Sequence, residues 1–241
     1  MKSKTILFYY FILLSIEIYA EALFFQTSSG LLIYLTKPLL MPMLIAWAFL
    51  FANEQNIKFN KIIFIALIFS LFGDIALMLL NIFSDIFIIG LICFLIAHII
   101  YIILLGKLHP LYYSILFAKP YLILPFVLYG IALITFLYWQ SHPQFIKMQI
   151  AVIVYAVVIL TMLIMAFSCY GKGSKNSFLM LFSGAVLFVL SDTTIALSKF
   201  SHLFTDNQNI ARIIIMLLYG VAQFLIVKGY ISMSKNSTIH S

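Results

Sequence analysis

Seven acids stand in this chain against fourteen lysines and arginines, and most of the acids fall inside long apolar stretches. Two of them are placed for chemistry. Asp74 follows Ser70 by one helical turn in Ser70-Leu71-Phe72-Gly73-Asp74-Ile75-Ala76-Leu77-Met78, and Asp192 closes Ser183-Gly184-Ala185-Val186-Leu187-Phe188-Val189-Leu190-Ser191-Asp192. A charged carboxylate near mid-bilayer costs about 2.5–3.5 kcal/mol on insertion scales, so each asks for a partner or a purpose. Two carboxyls held in different protonation states supply a proton donor and a base, the pairing that glycosidases use. Helpers stand nearby in register. His98 and Tyr101, three residues apart, share one helix face, and Tyr219 and Gln223, four apart, share another. Ser191 brings a hydroxyl beside Asp192, and Lys37 brings a cation suited to a phosphate. Asp74, Asp192 and His98 belong to different segments, and no His-Glu-x-x-His or comparable ligand spacing occurs. The sequence therefore predicts neither a metal nor another cofactor. Cys93 and Cys169 lie in apolar runs, which argues against a disulfide framework or a thiolate zinc site.

The elements that must position these residues follow from composition. The chain has 241 residues, 65% apolar and 9% charged, with a mean hydropathy of +1.16. A soluble domain runs at about 45–50% apolar and about 25% charged, so a soluble fold is excluded. The expectation is an all-α, polytopic membrane bundle of eight transmembrane helices forming one domain over 1–241. The helices are placed at about 5–25, 31–51, 62–80, 86–105, 121–139, 149–169, 177–197 and 210–230. Residues 111–118 read as an interfacial stretch ahead of Lys119-Pro120. Turn chemistry at Ser28-Ser29-Gly30, Asn53 to Asn60, His109-Pro110, His142-Pro143, Gly171 to Asn176 and Thr205 to Asn209 separates the runs. They are too long and too uniformly apolar for a barrel.

The net charge of +7 is spread as single lysines between runs, which signals topology and membrane lipids rather than nucleic acid. One side holds Lys2, Lys4, Lys58, Lys61, Lys107, Lys119, Lys172, Lys175, Lys228 and Lys235, and the other only Lys37, Lys147, Lys199 and Arg212. That asymmetry puts both termini in the cytoplasm and, in a bacterium, the protein in the cytoplasmic membrane. Lys2 and Lys4 before an apolar stretch and Ala20-Glu21-Ala22 also look like a cleavable signal. Glu17 interrupts that pattern, and cleavage would leave an odd number of spans, so a retained first helix is expected.

At 1.5 Å per residue, Asp74 lies about 18 Å and Asp192 about 22 Å from the cytoplasmic end of their helices. Glu17, Glu21 and Lys37 fall in the same outer half, so one polar chamber shared by all is expected. Lys37 either faces that chamber or snorkels to the headgroups. Pro38 and Pro42 remove backbone donors, which predicts an opened turn beside Lys37. Gly73-Asp74-Ile75-Ala76-Leu77 echoes Ser191-Asp192-Thr193-Thr194-Ile195-Ala196-Leu197 with a two-residue insertion. Parallel repeats of four helices about an axis along the membrane normal would produce this echo, and so would chance in apolar sequence.

The same segments, with Phe94-Leu95-Ile96-Ala97-His98-Ile99-Ile100-Tyr101, Lys37-Pro38 before them and Lys199-Phe200, Tyr219 and Gln223 after, resemble the YhhN family of membrane proteins. The resemblance runs from the second helix to the eighth. It implies an eight-helix membrane fold and, by likeness to the lysoplasmalogenases of that family, hydrolysis of the vinyl ether of a lysophospholipid. The products would be a fatty aldehyde and a glycerophospho-ethanolamine or -choline, with Asp74 and Asp192 as the catalytic acids.

That chemistry suits a carboxyl pair. A proton goes to the outer alkene carbon, water captures the oxocarbenium ion, and the hemiacetal collapses to aldehyde and alcohol. Asp74 and Asp192 would act as acid and base, His98, Tyr101, Ser191, Tyr219 and Gln223 would orient water or the glycerol oxygens, and Lys37 would meet the phosphate. The rival class is an ion-coupled carrier that uses the same acids as a proton or cation site. Free aldehyde from purified protein without a gradient separates the two.

Overall fold

In hydrocarbon every backbone N–H and C=O must be satisfied within its own segment, so uninterrupted apolar runs form helices. A computed structural model describes residues 2–27, 30–57, 59–81, 86–140 and 142–238. The long helices are α1 (Lys2–Thr27), α2 (Leu31–Glu54), α3 (Lys61–Met78), α4 (Ile86–Leu108), α6 (Leu124–Trp139), α7 (Pro143–Ser168), α8 (Lys175–Phe200) and α9 (Gln208–Thr238), with a one-turn α5 (Ile115–Ala118) between α4 and α6. Among the described residues, eight helical stretches are long and apolar enough to cross a membrane, as the runs predict. Several helices outrun their apolar cores, because polar flanks continue the ladder and caps fix the ends. Asn60 accepts from the Ile62 N–H to start α3, and Ser174 accepts from the Ser177 N–H to start α8.

The stretch 111–118 is a 3₁₀ turn (Leu111–Tyr113) and then α5, and a second 3₁₀ turn (Pro120–Ile123) leads into α6. Tyr112, Tyr113, Phe117 and Tyr121 are all exposed there, the aromatic belt of a membrane boundary. Helix α2 stays helical through Pro38 and Pro42, so Lys37 sits on a continuous helix rather than on the expected opened turn. The turn at Ser28-Ser29, Lys58 and Asp85 lie outside the described residues. Asp206, in the loop before α9, is exposed.

Seven helices close a ring in the order α7, α8, α9, α1, α2, α3, α4 and back to α7, while α6 packs on the outside of α7. The start of α1 and the ends of α2 and α9 share one end of the bundle. There Ser3 donates its N–H to Glu54 at 3.0 Å, and Lys235 Nζ donates to Gln55 Oε1 at 2.8 Å. Tyr10 donates across the α1–α9 seam to the Gly220 carbonyl at 2.8 Å.

The most extensive seam joins α8 to α9. Glycine makes it possible: a Cβ on Gly229 would lie 2.5 Å from the Leu181 nitrogen, and one on Gly184 would lie 2.8 Å from that of Ile226. Backbone cannot yield as a side-chain tip does, so Gly229→Val prises the pair apart. We expect a loss of about 1–3 kcal/mol, read as a lowered melting temperature of the detergent-solubilised protein. An unchanged melting curve would contradict so tight a seam.

Candidate functional site

Asp192, on the fifth turn of α8, is held from two other helices. The Tyr155 hydroxyl of α7 donates to its Oδ2. His98 Nε2 of α4 lies 3.3 Å from the same oxygen and 3.0 Å from the Tyr155 hydroxyl. A carboxylate, a phenol and an imidazole thus meet at one point where α4, α7 and α8 adjoin. His98 is fully buried, and its Nδ1 finds no hydrogen-bond partner among the described residues. Asp192 keeps about 10% of its side chain accessible.

Asp74, on α3, is 3% exposed and accepts from the Tyr219 hydroxyl of α9 at 2.8 Å. An aromatic layer connects it to the first cluster. Tyr219 meets Phe188 edge-on at 5.5 Å, and Phe188 meets His98 edge-on at 4.7 Å. Phe94 packs on the other side of Tyr219 at 5.8 Å. The two acids therefore converge from α3 and α8 but are linked through Tyr219, Phe188 and His98 rather than through one open chamber. Asp192, Glu17 and Lys37 all act on Asp74 electrostatically.

The other residues singled out by spacing divide differently. Tyr101 donates to Gln223 Oε1 at 2.7 Å, and Gln223 Nε2 donates to Ser70 Oγ at 3.0 Å, all three fully buried. This chain ties α4, α9 and α3 together below Asp74. Ser191 donates to the Ile215 carbonyl at 3.2 Å, fastening α8 to α9. Lys37 does not snorkel: it is buried and bonds Glu21 Oε1 at 3.2 Å, while Arg212 Nε bonds Glu21 Oε2 at 2.5 Å. Glu21 is thus the shared counter-ion of two cations, and Glu17, beside it on α1, accepts from the Thr36 hydroxyl. In low dielectric such pairing is what makes buried charge tolerable.

Asp192 borders two narrow clefts of ≈ 40 Å³ each, whereas Asp74 is 3% exposed and bonded to Tyr219. A cavity of ≈ 610 Å³ opens at the end of the bundle away from the termini, walled by Glu21, Lys37, Lys199, His202 and Arg212 among others. Past Leu77, Phe87 and Ile195 it adjoins a narrow cleft lined by Tyr155 and Asp192. A second cleft, also bordered by Asp192 and Tyr155, adjoins an apolar groove of ≈ 400 Å³ between α6 and α7 through Ile134, Ala156 and Leu160. One carboxyl consequently stands between a charged cavity and a lipid-facing groove. Among the described residues, no three His, Cys, Asp or Glu side chains gather closely enough to hold a metal ion.

Tyr155, the phenol on Asp192, is the member of this cluster that sequence reasoning missed. It is one of fourteen tyrosines, and its only signal is a lone polar tip in the wholly apolar run from Ala151 to Leu160. Of the cationic wall, Lys37 was singled out from sequence, whereas Lys199 and Arg212 were read as topology signal.

Compared with known proteins, the sequence matches the model of the YhhN family over residues 32–230. No curated protein and no solved structure matches it.

Proposed function

The chain belongs to the YhhN family, and from that premise we propose that it is an integral membrane hydrolase cleaving the vinyl ether of lysoplasmalogens to a fatty aldehyde and a glycerophospho-ethanolamine or -choline. The observation that carries this reading is the position of Asp192 between the charged cavity and the apolar groove, with Tyr155 and His98 on its carboxylate. A single-chain amphiphile has its linkage at such a boundary. With its headgroup in the cavity and its hydrocarbon toward the groove, the enol ether comes beside Asp192.

In this reading the carboxyl pair delivers a proton to the outer alkene carbon and then, as carboxylate, takes one from the water that attacks the oxocarbenium carbon. Negative charge on the acids stabilises that cation as it forms, the preorganised electrostatics that most lower such barriers. Asp192 borders the two clefts and acts next to the substrate. Asp74, bonded to Tyr219 behind the aromatic layer, supplies the second charge. His98 and Tyr155 fix the orientation of the Asp192 carboxyl and of the captured water.

The reading also keeps both termini cytoplasmic, on the lysine distribution. It takes the two halves as parallel repeats. In support, α2, α3 and α4 follow one another round the ring as α7, α8 and α9 do, and each acid is met by the last helix of the opposite half, Asp74 by Tyr219 and Asp192 by His98. Helix α6, outside the ring, departs from that pattern.

The test is aldehyde release by purified protein in detergent, offered a lysoplasmalogen, the matching saturated ether and the matching acyl lysolipid. Only the vinyl ether is expected to yield aldehyde. No aldehyde, with uptake of solute into proteoliposomes, would hand the acids to the carrier reading instead. A second outcome concerns the groove. Ala156 borders both the cleft at Asp192 and the groove, so Ala156→Phe plugs the junction. Hydrolysis of long-chain substrate is expected to fall about tenfold in kcat/KM relative to a short-chain analogue. An equal effect on both chain lengths would place the hydrocarbon elsewhere.

A further inference from the structure

The large cavity holds more positive charge than its own pairing needs. Lys37, Lys199 and Arg212 line it with Glu21. Glu21 is bonded to Lys37 and Arg212, so its charge is committed to the deep side of the wall. Lys199 pairs with no carboxylate among the described residues. Its Nζ lies 5.1 Å over the Phe87 ring, and Phe87 borders the passage to Asp192. Two imidazoles complete that side: His142, the residue capping the start of α7, packs its ring 5.5 Å from His202, and His142 Nδ1 is a buried polar atom without a partner among the described residues. The neighbouring hydroxyls are not spare donors, since Ser198, Ser201 and Thr205 each donate to a carbonyl three or four residues back.

We propose that Lys199, with His142 and His202, forms the site for the phosphodiester anion of a lysophospholipid, and that Lys37 is a structural cation. This rests on the hydrolase reading for the identity of the lipid. Three features select phosphate. The wall joins a lysine to two imidazoles, one of them with a buried nitrogen that no group among the described residues meets, a set of N–H donors that fits an oxyanion. Its excess charge is positive. Lys199 follows Asp192 by seven residues, two helical turns, or about 10 Å along the axis of α8. That spacing suits a glycerol backbone, with its phosphate ester at one end and its ether-linked chain at the other. The apolar groove between α6 and α7, which adjoins a cleft at Asp192, takes the hydrocarbon.

The experiment measures binding, so it does not depend on turnover. Purified full-length protein is titrated with a saturated-ether lysophospholipid, which cannot be cleaved as an enol ether, and with the same alkylglycerol lacking phosphate. The protein is expected to bind the phospholipid at least tenfold more tightly, and Lys199→Gln is expected to lower that ratio about tenfold while Lys199→Arg restores it. Glycerophosphate and inorganic phosphate, added alone, are expected to compete weakly with the phospholipid. Equal affinity for the two lipids, or a ratio untouched by Lys199→Gln, overturns the site. Stabilisation by inorganic phosphate without any binding of the phospholipid overturns it as well, since the site would then serve a soluble anion. Phosphate-selective binding together with no aldehyde from any vinyl ether leaves this site standing and removes the hydrolase reading instead.

Discussion

Asp192→Asn is expected to lower lysoplasmalogen turnover by about 10²–10⁴-fold, and Asp74→Asn by a comparable factor, the usual worth of a general acid or base. Asparagine preserves the shape of the carboxyl group and still accepts from a phenol, so the Tyr155 and Tyr219 hydrogen bonds persist in outline. What it removes is the capacity to give or take a proton and the negative charge beside an oxocarbenium ion. The two variants are not expected to fail alike. Asp192 borders two clefts and lies on the proposed path of the substrate, so its loss is expected in kcat with little change in KM. Asp74 lies behind Tyr219 and Phe188, so its loss acts through the field at Asp192, and the two losses combine less than multiplicatively. The measurement is aldehyde release by each single variant and the double variant, at matched melting temperature. Wild-type rates in a correctly folded Asp192→Asn protein would end the acid–base mechanism. Full multiplicativity would end the coupling.

The second large effect is on stability. Glu21 is 2% exposed and is the carboxylate shared by Lys37 and Arg212, which lock α1 against α2 and α9. Removing one member of a buried ionic group strands the others, at a cost of about 3–5 kcal/mol. Glu21→Gln is expected to show that loss as a large drop in melting temperature. The cost comes from the stranded Lys37 ammonium, so the double variant Glu21→Gln/Lys37→Met is expected to recover much of it. If the single variant melts like the wild type, the group is not truly sealed from water. If the double variant is no better than the single, Arg212 rather than Lys37 dominates the penalty.

Hydropathy made the eight spans legible, because in lipid one physical rule governs every segment: backbone hydrogen bonds close locally or not at all. The intramembrane acids were legible for the same reason, since a carboxyl at Asp74 or Asp192 is costly wherever the helices end up. Partners were harder. Spacing put Tyr219 and Gln223 on one face correctly, yet they take different tasks, one on Asp74 and the other bridging Tyr101 and Ser70. Periodicity shows which residues share a face, but not which helix that face will meet. Tyr155 was invisible on those grounds, because nothing around it in sequence is polar. The pairing of Lys37 was hidden because its counter-ion, Glu21, lies on another helix. The cationic wall combines the end of α8 and the loop that follows it with the start of α7, which lies far earlier in the sequence and which periodicity cannot bring to them.

The closure of the ring also bears on how the molecule is made. Helices α3 and α4 enter the bilayer early, while the groups that answer their polar residues, Tyr155 on α7, Asp192 on α8 and Tyr219 and Gln223 on α9, are synthesised last. A nascent chain halted after α4 carries Asp74 and His98 into the lipid without those companions, and α1 waits for the Gly220 carbonyl that Tyr10 will bind. Biogenesis therefore leaves an unfinished chain marked by exposed polarity at mid-membrane, the feature by which quality-control proteases and insertion chaperones can tell it from the completed one.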